Sequence, residues 1–331
     1  MIALSDIRRP VEKDFQRYDE AFQAELRHEN PLLHQVLTYI LGRRGKQLRP
    51  LLVLLSAQVC HGVTDKTIPT AVALEMLHTA SLLHDDVVDD SPTRRGAEAV
   101  QTRWTNKTAI LTGDYLFARV MDIVSGLRHT AILNIFAQMS KTLSEGELLQ
   151  LQEQKNMWIS EETYFRIIRQ KTACLFAACT ESGAQSSCAT MRQVTALRDY
   201  GTALGMCFQI KDDILDYSDS EELGKPTMHD IRDGKATLPL LISLTRAPRE
   251  EANEIRQLAE RLAAKDPLLD TVEAEQEIKT FVMRYDGIRY AYKCMQQQKD
   301  KAIEALSCFR DMTPAKESLI ALLDYSINRL H

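Results

Sequence analysis

Apolar residues recur at three- and four-residue spacing along almost the whole chain, the period of a single helix face. Asn30-Pro31 reads as an N-cap followed by proline at the first helical position, opening a helix to about Leu41. Pro50 and Pro69 open two more, to about Cys60 and Asp90; the second carries Ala71, Leu74, Leu77, Leu82 and Leu83. Helical segments are predicted near 107–125, 130–154, 161–183 and 190–217, and Thr313-Pro314 starts a last one ending near Leu330. Breaks fall at Gly42–Gly45, Ser91–Gly96, Gly224–Gly234 and Ala247-Pro248. None of these reads as a flexible linker, and no segment is of low complexity. The pattern predicts an all-α chain whose residues 1–331 form one domain, although the length alone suggests two.

Composition sharpens this. Only 13 glycines and 10 prolines in 331 residues leave few turns, which argues for long elements and against an all-β fold. A hydrophobic share of 44% supplies a large core and excludes wholesale disorder. The apolar run Leu51–Leu55 is far short of the roughly 18 residues of a membrane span. Met1 to Lys13 has no apolar segment of the kind a secretory leader needs, so none is expected. The seven cysteines are scattered, without CxxC pairs or histidines at metal spacing, so reduced thiols and a cytoplasmic setting are expected. A net charge of −5 argues against a broad nucleic-acid surface but leaves room for a small basic site.

One acidic pattern occurs twice. Asp85-Asp86-Val87-Val88-Asp89 and Asp212-Asp213-Ile214-Leu215-Asp216 are both DDxxD, each near the C-terminal end of a predicted long helix. Residues i and i+4 share a helix face, so Asp85 lies with Asp89 and Asp212 with Asp216, while the middle acid turns aside. Like charges at this spacing destabilise a helix by about 0.2–0.5 kcal/mol per pair, and carboxylates there meet the wrong end of the macrodipole. Apolar neighbours, Leu82-Leu83 before one motif and Phe208 and Ile210 before the other, add to the cost. A cation must offset the repulsion. Oxygen donors alone favour a hard ion, Mg²⁺, with Mn²⁺ as the alternative. Mg²⁺ takes few protein carboxylates and shares substrate phosphates, so two facing DDxxD ends predict a clamp on a phosphate-bearing ligand.

Basic residues bracket both motifs. Gly45-Lys46-Gln47-Leu48-Arg49-Pro50 puts two cations in a loop entering a helix, a natural anion site. Arg94-Arg95-Gly96 follows the first motif, Lys171-Thr172 sits mid-chain, and Lys225 and Lys235 flank the glycine-containing loop after the second motif. Two polyanion sites are expected, one reached through metal and one directly.

With these residues in place the chain resembles the trans-isoprenyl diphosphate synthases, in particular their long-chain polyprenyl branch. The resemblance rests on GKQLRP (45–50), LHTASLLHDDVVDDSPTRRG (77–96), GDY (113–115), KTA (171–173), YGTALGMCFQIKDDILDY (200–217) and GKPTMHDIRDGKATLPL (224–240). It implies a bundle of mostly antiparallel helices around a deep central cavity, usually a homodimer. It also implies roles. Lys46, Arg49 and His78, helped by Arg95, would hold the diphosphate of isopentenyl diphosphate. Asp85, Asp89 and Asp212 would bind Mg²⁺ gripping an allylic diphosphate. Arg94, Lys171 and Lys235 would neutralise the leaving group, with Lys225 on the same loop, and Gln209 and Thr172 would face the developing cation. His78 has an alternative reading as a hydrogen-bonded core residue.

The implied reaction is ionisation of the allylic C–O bond, attack by the C=C of isopentenyl diphosphate and proton loss, in a site that excludes water. Ala80 and Ser81, five and four residues before Asp85, are small where bulky residues in this family form a floor. Together with the lack of an insertion in the first motif this predicts a medium or long all-trans product, with Leu77 or Leu74 as a deeper floor. A short-chain synthase is the alternative; a class I terpene cyclase fits less well, because the second motif is a full DDxxD and a second diphosphate site is present. A silent partner subunit would be expected to lose acids, and none is lost. No anchor for a membrane is visible, so contact with one is expected to be peripheral at most. Three features depart from the family pattern: Met228-His229 in the closing loop, the extra acid Asp90, and Lys211, which reads equally as a neutralising neighbour or a solvent-facing residue.

Overall fold

The computed structural model describes residues 3–43, 45–153, 157–218 and 228–328. Among these the chain is helical almost throughout, and its hydrophobic residues form one continuous core from Ile7 to Leu323. The first helices are α1 (Leu4–Arg8), α2 (Glu12–Glu25), α3 (Pro31–Leu41), α4 (Leu48–Cys60) and α5 (Thr67–Val88). A two-stranded hairpin, β1 (Thr93–Arg94) and β2 (Ala97–Glu98), follows, then α6 (Val100–Arg103), α7 (Asn106–Gly126), α8 (Thr130–Glu153) and α9 (Glu161–Ile168). A π-helical turn, Arg169–Ala173, joins α9 to α10 (Cys174–Ser186), which precedes α11 (Met191–Leu215). The remainder is α12 (His229–Arg232), α13 (Leu238–Arg246), α14 (Arg249–Ala263), α15 (Thr271–Arg284), α16 (Gly287–Leu306) and α17 (Pro314–Asn328).

Helix α4 reads LRPLLVLLSAQVC, apolar on every face, and the fold uses it as an interior helix. Leu51, Leu52, Leu54 and Leu55 are all at most 1% exposed, each burial stabilising the fold by about 1.5–3 kcal/mol. Around α4 pack α5 and α10; α11 lies against α10 on one side and α16 on the other, and α7 covers α5. The predicted cap at Asn30 forms. The Asn30 side chain accepts from Leu33 N at 3.1 Å, and Thr190 and Gln193 make a reciprocal capping box at the start of α11. Some boundaries differ. Helix α4 starts at Leu48 rather than Pro50, with Gln47 in the left-handed region (φ 52°) ahead of it. Helix α5 stops at Val88, because Asp90 adopts φ 47° and cannot continue the helix. The predicted break at 91–96 is a tight hairpin whose two turn residues, Arg95 (φ 53°) and Gly96 (φ 74°), both have positive φ, as a two-residue turn between twisted strands requires.

The π-helical turn interrupts what the periodicity predicts as one helix over 161–183. An extra residue in the turn shifts the side chains that follow it, and such turns recur at functional sites. Two glycines allow neighbouring helices to close on it. A Cβ at Gly205 of α11 would fall 2.6 Å from the Ala173 Cα, and one at Gly146 of α8 would fall 2.8 Å from the Lys171 backbone N. Gly205→Ala is therefore expected to lower the unfolding free energy by about 1–3 kcal/mol through overpacking, read from a urea titration; an unchanged midpoint would show that the turn is not gripped as described.

Candidate functional site

Both acidic motifs end their helices. On α5, Asp85 is half-buried, Asp86 is buried, and Asp89 caps the helix with its N–H donating to Asp85 O at 2.8 Å. Asp86, the acid expected to turn aside, accepts from the Arg94 guanidinium through Nε at 2.7 Å and through a second nitrogen. Arg94 is thereby engaged by a protein carboxylate rather than standing free for a ligand, and it ties the β1–β2 hairpin to the helix end. Gln101 completes the closure by donating to Asp86 O and Ser91 O. Burial pushes the Asp85 carboxyl up to about 6; the neighbouring negative charge of Glu147 adds to the rise, and Lys171 opposes it.

On α11 the middle acid is again the buried one. Asp213 accepts from the Tyr164 hydroxyl at 2.5 Å and from Gln209 Nε2 at 2.9 Å, and Gln209 Oε1 accepts from the Thr172 hydroxyl at 2.8 Å. This chain ties α9, the π-helical turn and α11 into one polar network. Burial raises Asp213 to about 7, and the charges of Asp212 and Asp216 act in the same direction. Asp216 does not share an open face with Asp212. Its carboxylate accepts from the backbone N–H groups of His229 (3.0 Å) and Asp230 (3.2 Å), clasping the returning chain at α12. The Met228-His229 departure finds its reason here: Met228 is fully buried at φ 61°, and its N–H donates to Asp216 O at 3.0 Å. Lys211 is buried, with its ammonium over the Tyr292 ring at 5.7 Å, so the solvent-facing reading is excluded.

Two lysines join the acidic ends. Lys171 donates to Glu147 at 2.7 Å beside Asp85, and Lys235 Nζ lies 4.0 Å from Asp89. Both lysines line the same cavity of about 170 Å³, whose polar wall includes Thr172, Gln209, Asp213 and Asp230. Met157, Ile159, Ile167 and Ile168 make its apolar wall. Asp212 is half-buried next to Asp213 and is not part of that lining. No three acidic, His or Cys side chains among the described residues are grouped to hold an ion unaided. The donor set nonetheless fits a hard divalent ion that keeps waters and arrives with phosphate oxygens, since such an ion needs only one or two protein carboxylates.

A second cluster lies toward the other end of the charged stretch of α5. His78 is buried and its imidazole is held well below its usual pKa, first by burial and then by the positive charges of Arg49, Arg95 and Arg94, so it is neutral. Arg49 packs its guanidinium over Phe176 at 5.3 Å and has a buried Nε without an acceptor. A buried donor left so calls for a ligand or water. Arg95 lies against Gly45, where a Cβ would come within 2.9 Å of its guanidinium carbon, and it donates to Arg43 O at 2.8 Å. Lys46 is exposed over the Tyr325 ring of α17 at 5.4 Å. Arg49, Arg95 and His78 thus lie together, with the buried acid Glu75 among the arginines.

Ala80 and Leu77 are 1% and 2% exposed, and the half-buried Ser81 donates to His78 O at 3.0 Å. None of the three lines the 170 Å³ cavity. Leu77 and Ser81 share the face of His84, whose ring fills the space a Cβ at Gly113 of α7 would take. Lys225 lies outside the described residues. Sequence reasoning missed Glu147, Tyr164, Asp230 and Glu75, which follow no charge motif; only Gly146 within a helix interior hinted at a close approach beside Glu147.

The sequence profile described as polyprenyl synthetase matches residues 30–274. The octaprenyl diphosphate synthase of Haemophilus influenzae is 33% identical over 330 residues, covering 99% of this chain and 98% of its own. A decaprenyl diphosphate synthase from Rhodobacter capsulatus has a similar structure, with TM-score 0.91, 33% identity and coverage of 99% of this chain and 100% of that one. The polyprenyl synthase from Caulobacter crescentus, solved in complex with calcium and isoprenyl diphosphate, superposes with TM-score 0.89 at 33% identity, over 99% of this chain and 98% of that one.

Tyr164→Phe removes one donor to the buried Asp213 carboxylate. The expected loss is about 1–3 kcal/mol of stability, measured by denaturant unfolding; a loss smaller than about 0.5 kcal/mol would show that the network does not depend on this hydroxyl.

Proposed function

The chain belongs to the polyprenyl synthetase family, and we propose that it joins isopentenyl diphosphate head to tail to an allylic diphosphate, giving a medium- or long-chain all-trans polyprenyl diphosphate. The observation that carries this reading is the convergence of Lys171, from the Asp85 side, and Lys235, from the Asp89 side, on one cavity with Asp213 of the second motif. A single acidic helix end would make a solvated surface; a cavity walled by two lysines that also lie near the Asp85–Asp89 end supports a site for a polyanion with its counter-ions.

Divalent-metal dependence is general in the family. Asp85, Asp89 and Asp212 are the residues we assign to holding Mg²⁺. When bound, the ion supplies Lewis-acid stabilisation of the departing diphosphate. Lys171 and Lys235 neutralise the same leaving group. Arg94 acts more remotely, by holding Asp86 and the hairpin. Lys46, Arg49, neutral His78 and Arg95 take the second diphosphate, for which the unpaired Arg49 Nε is a ready donor. As the allylic C–O bond breaks, positive charge develops near the Thr172–Gln209 pair, whose oxygens are held in place by the hydrogen bond to Asp213. The C=C of isopentenyl diphosphate closes the new C–C bond, and the proton lost from the adjacent carbon passes to the released diphosphate. The apolar wall from Met157 to Ile168 keeps water from the cation.

The continuous core supports reading the whole chain as one synthase domain. Exposed Ile110, Leu111 and Phe117 on α7 and Leu133, Leu148 and Leu151 on α8 support a homodimer through these helices. No helix among the described residues is long and apolar enough to cross a membrane, and the seven free cysteines support a cytoplasmic setting.

The test is mass spectrometry of products formed from isopentenyl diphosphate with each allylic primer. A polyprenyl diphosphate of medium or long chain is expected, abolished by a chelator and restored by Mg²⁺; a cyclised hydrocarbon from the allylic substrate alone would overturn the reading. Asp85→Ala is expected to lower kcat by at least about 10²-fold with the fold intact. Ser81→Phe is expected to shorten the product, and an unchanged product length would remove Ser81 from the path of the growing chain.

A further inference from the structure

We propose that Glu147 is a positioning residue that holds the Lys171 ammonium at the cavity before a diphosphate arrives and keeps it from collapsing onto Asp85. The proposal rests on the diphosphate-binding role given above to Lys171. Lysine is a compact charge on a flexible four-carbon stem, with about 2 kcal/mol of rotamer entropy to lose on being fixed. Left to itself beside a half-buried carboxylate, its ammonium would pair with that carboxylate. Asp85 is such a carboxylate, close enough that the charges of Glu147 and Lys171 both act on it. Glu147 provides the competing acceptor. Its Oε2 takes a charge-assisted hydrogen bond from Lys171 Nζ at 2.7 Å, with both side chains only 26% exposed, so solvent screens the pair weakly.

The backbone makes this pairing rigid. Gly146, next to Glu147, has no room for a Cβ: one would meet the Gln170 Cβ and the Lys171 N at 2.8 Å each. Helix α8 is therefore in backbone contact with the very residue whose side chain Glu147 holds. Lys171 itself sits in the π-helical turn, the one place on this helix where the register is offset. Neither partner can drift along its helix without the other. An incoming diphosphate then meets an ammonium already turned to the cavity, and Asp85 remains free of it.

The experiment is a double-mutant cycle on the full chain, with steady-state rates for the allylic diphosphate that the wild type uses best. Glu147→Ala is expected to lower kcat/KM for the allylic substrate by about 10- to 100-fold. KM for isopentenyl diphosphate should stay within about twofold, because its site lies on other residues. Glu147→Gln, which keeps an acceptor oxygen without the charge, should recover part of the loss and serves in place of Glu147→Ala if that variant melts early. In a Lys171→Ala background, removing Glu147 should change the rate by less than about threefold, since it acts through the lysine. Independent multiplication of the two effects, or wild-type kinetics for both Glu147 variants, would overturn the proposal. Failure of the wild type to make any prenyl product would instead overturn the functional reading beneath it.

Discussion

Carboxylates crowd the C-terminal ends of α5 and α11, where burial, mutual repulsion and the helix macrodipole all oppose their ionised form. The surrounding structure is arranged around that unfavourable charge. The middle acid of each motif is buried and satisfied within the protein, Asp86 by Arg94 and Asp213 by Tyr164 and Gln209. Asp216 is consumed in clasping the 228–230 backbone. The cavity wall keeps two lysines, Lys171 and Lys235, beside Asp213 and Asp230, and the proposed role would add cations carried in with a polyanion.

The same division of labour explains the positions of the basic residues. Arg95 holds a positive φ in a two-residue turn, a conformation that costs a non-glycine residue about 1 kcal/mol or more, and by it the guanidinium is brought against Gly45 and into the cluster with Arg49 and His78. One hairpin thus reaches both clusters: Arg94 steadies the acidic end of α5, and Arg95 lies with Arg49 and His78. The two proposed diphosphate sites would lie along one helix, with His78 two turns before Asp85, so the spacing between these residues is fixed by α5 itself.

Much of this was legible in the amino-acid order. Asn30-Pro31 marks a helix start by cap chemistry that acts locally, and the twin DDxxD motifs stand out because helix ends rarely gather acids there. The π-helical turn was not legible, since Arg169 to Ala173 offers only Ala173 as an apolar residue and so no spacing to read, and its close contacts with Gly146 and Gly205 come from distant parts of the chain. Tyr164 and Glu147 were missed for the related reason that each acts on a partner distant in sequence, at 49 and 24 positions. Asp216 and Arg94 were visible as charges, but their protein partners depend on where the chain returns after the helix, which no local pattern specifies.

The central claim is that both acidic ends grip one metal-borne diphosphate. Calorimetric titration of inorganic pyrophosphate, with and without Mg²⁺, into wild type, Asp85→Ala and Asp212→Ala tests it most directly. Mg²⁺-dependent binding in the wild type that is lost to a similar extent in both variants is the predicted result. Mg²⁺-dependent binding that survives the loss of either acid, or the absence of any Mg²⁺-dependent binding beyond the direct binding expected at the Arg49–Arg95 site, would contradict it.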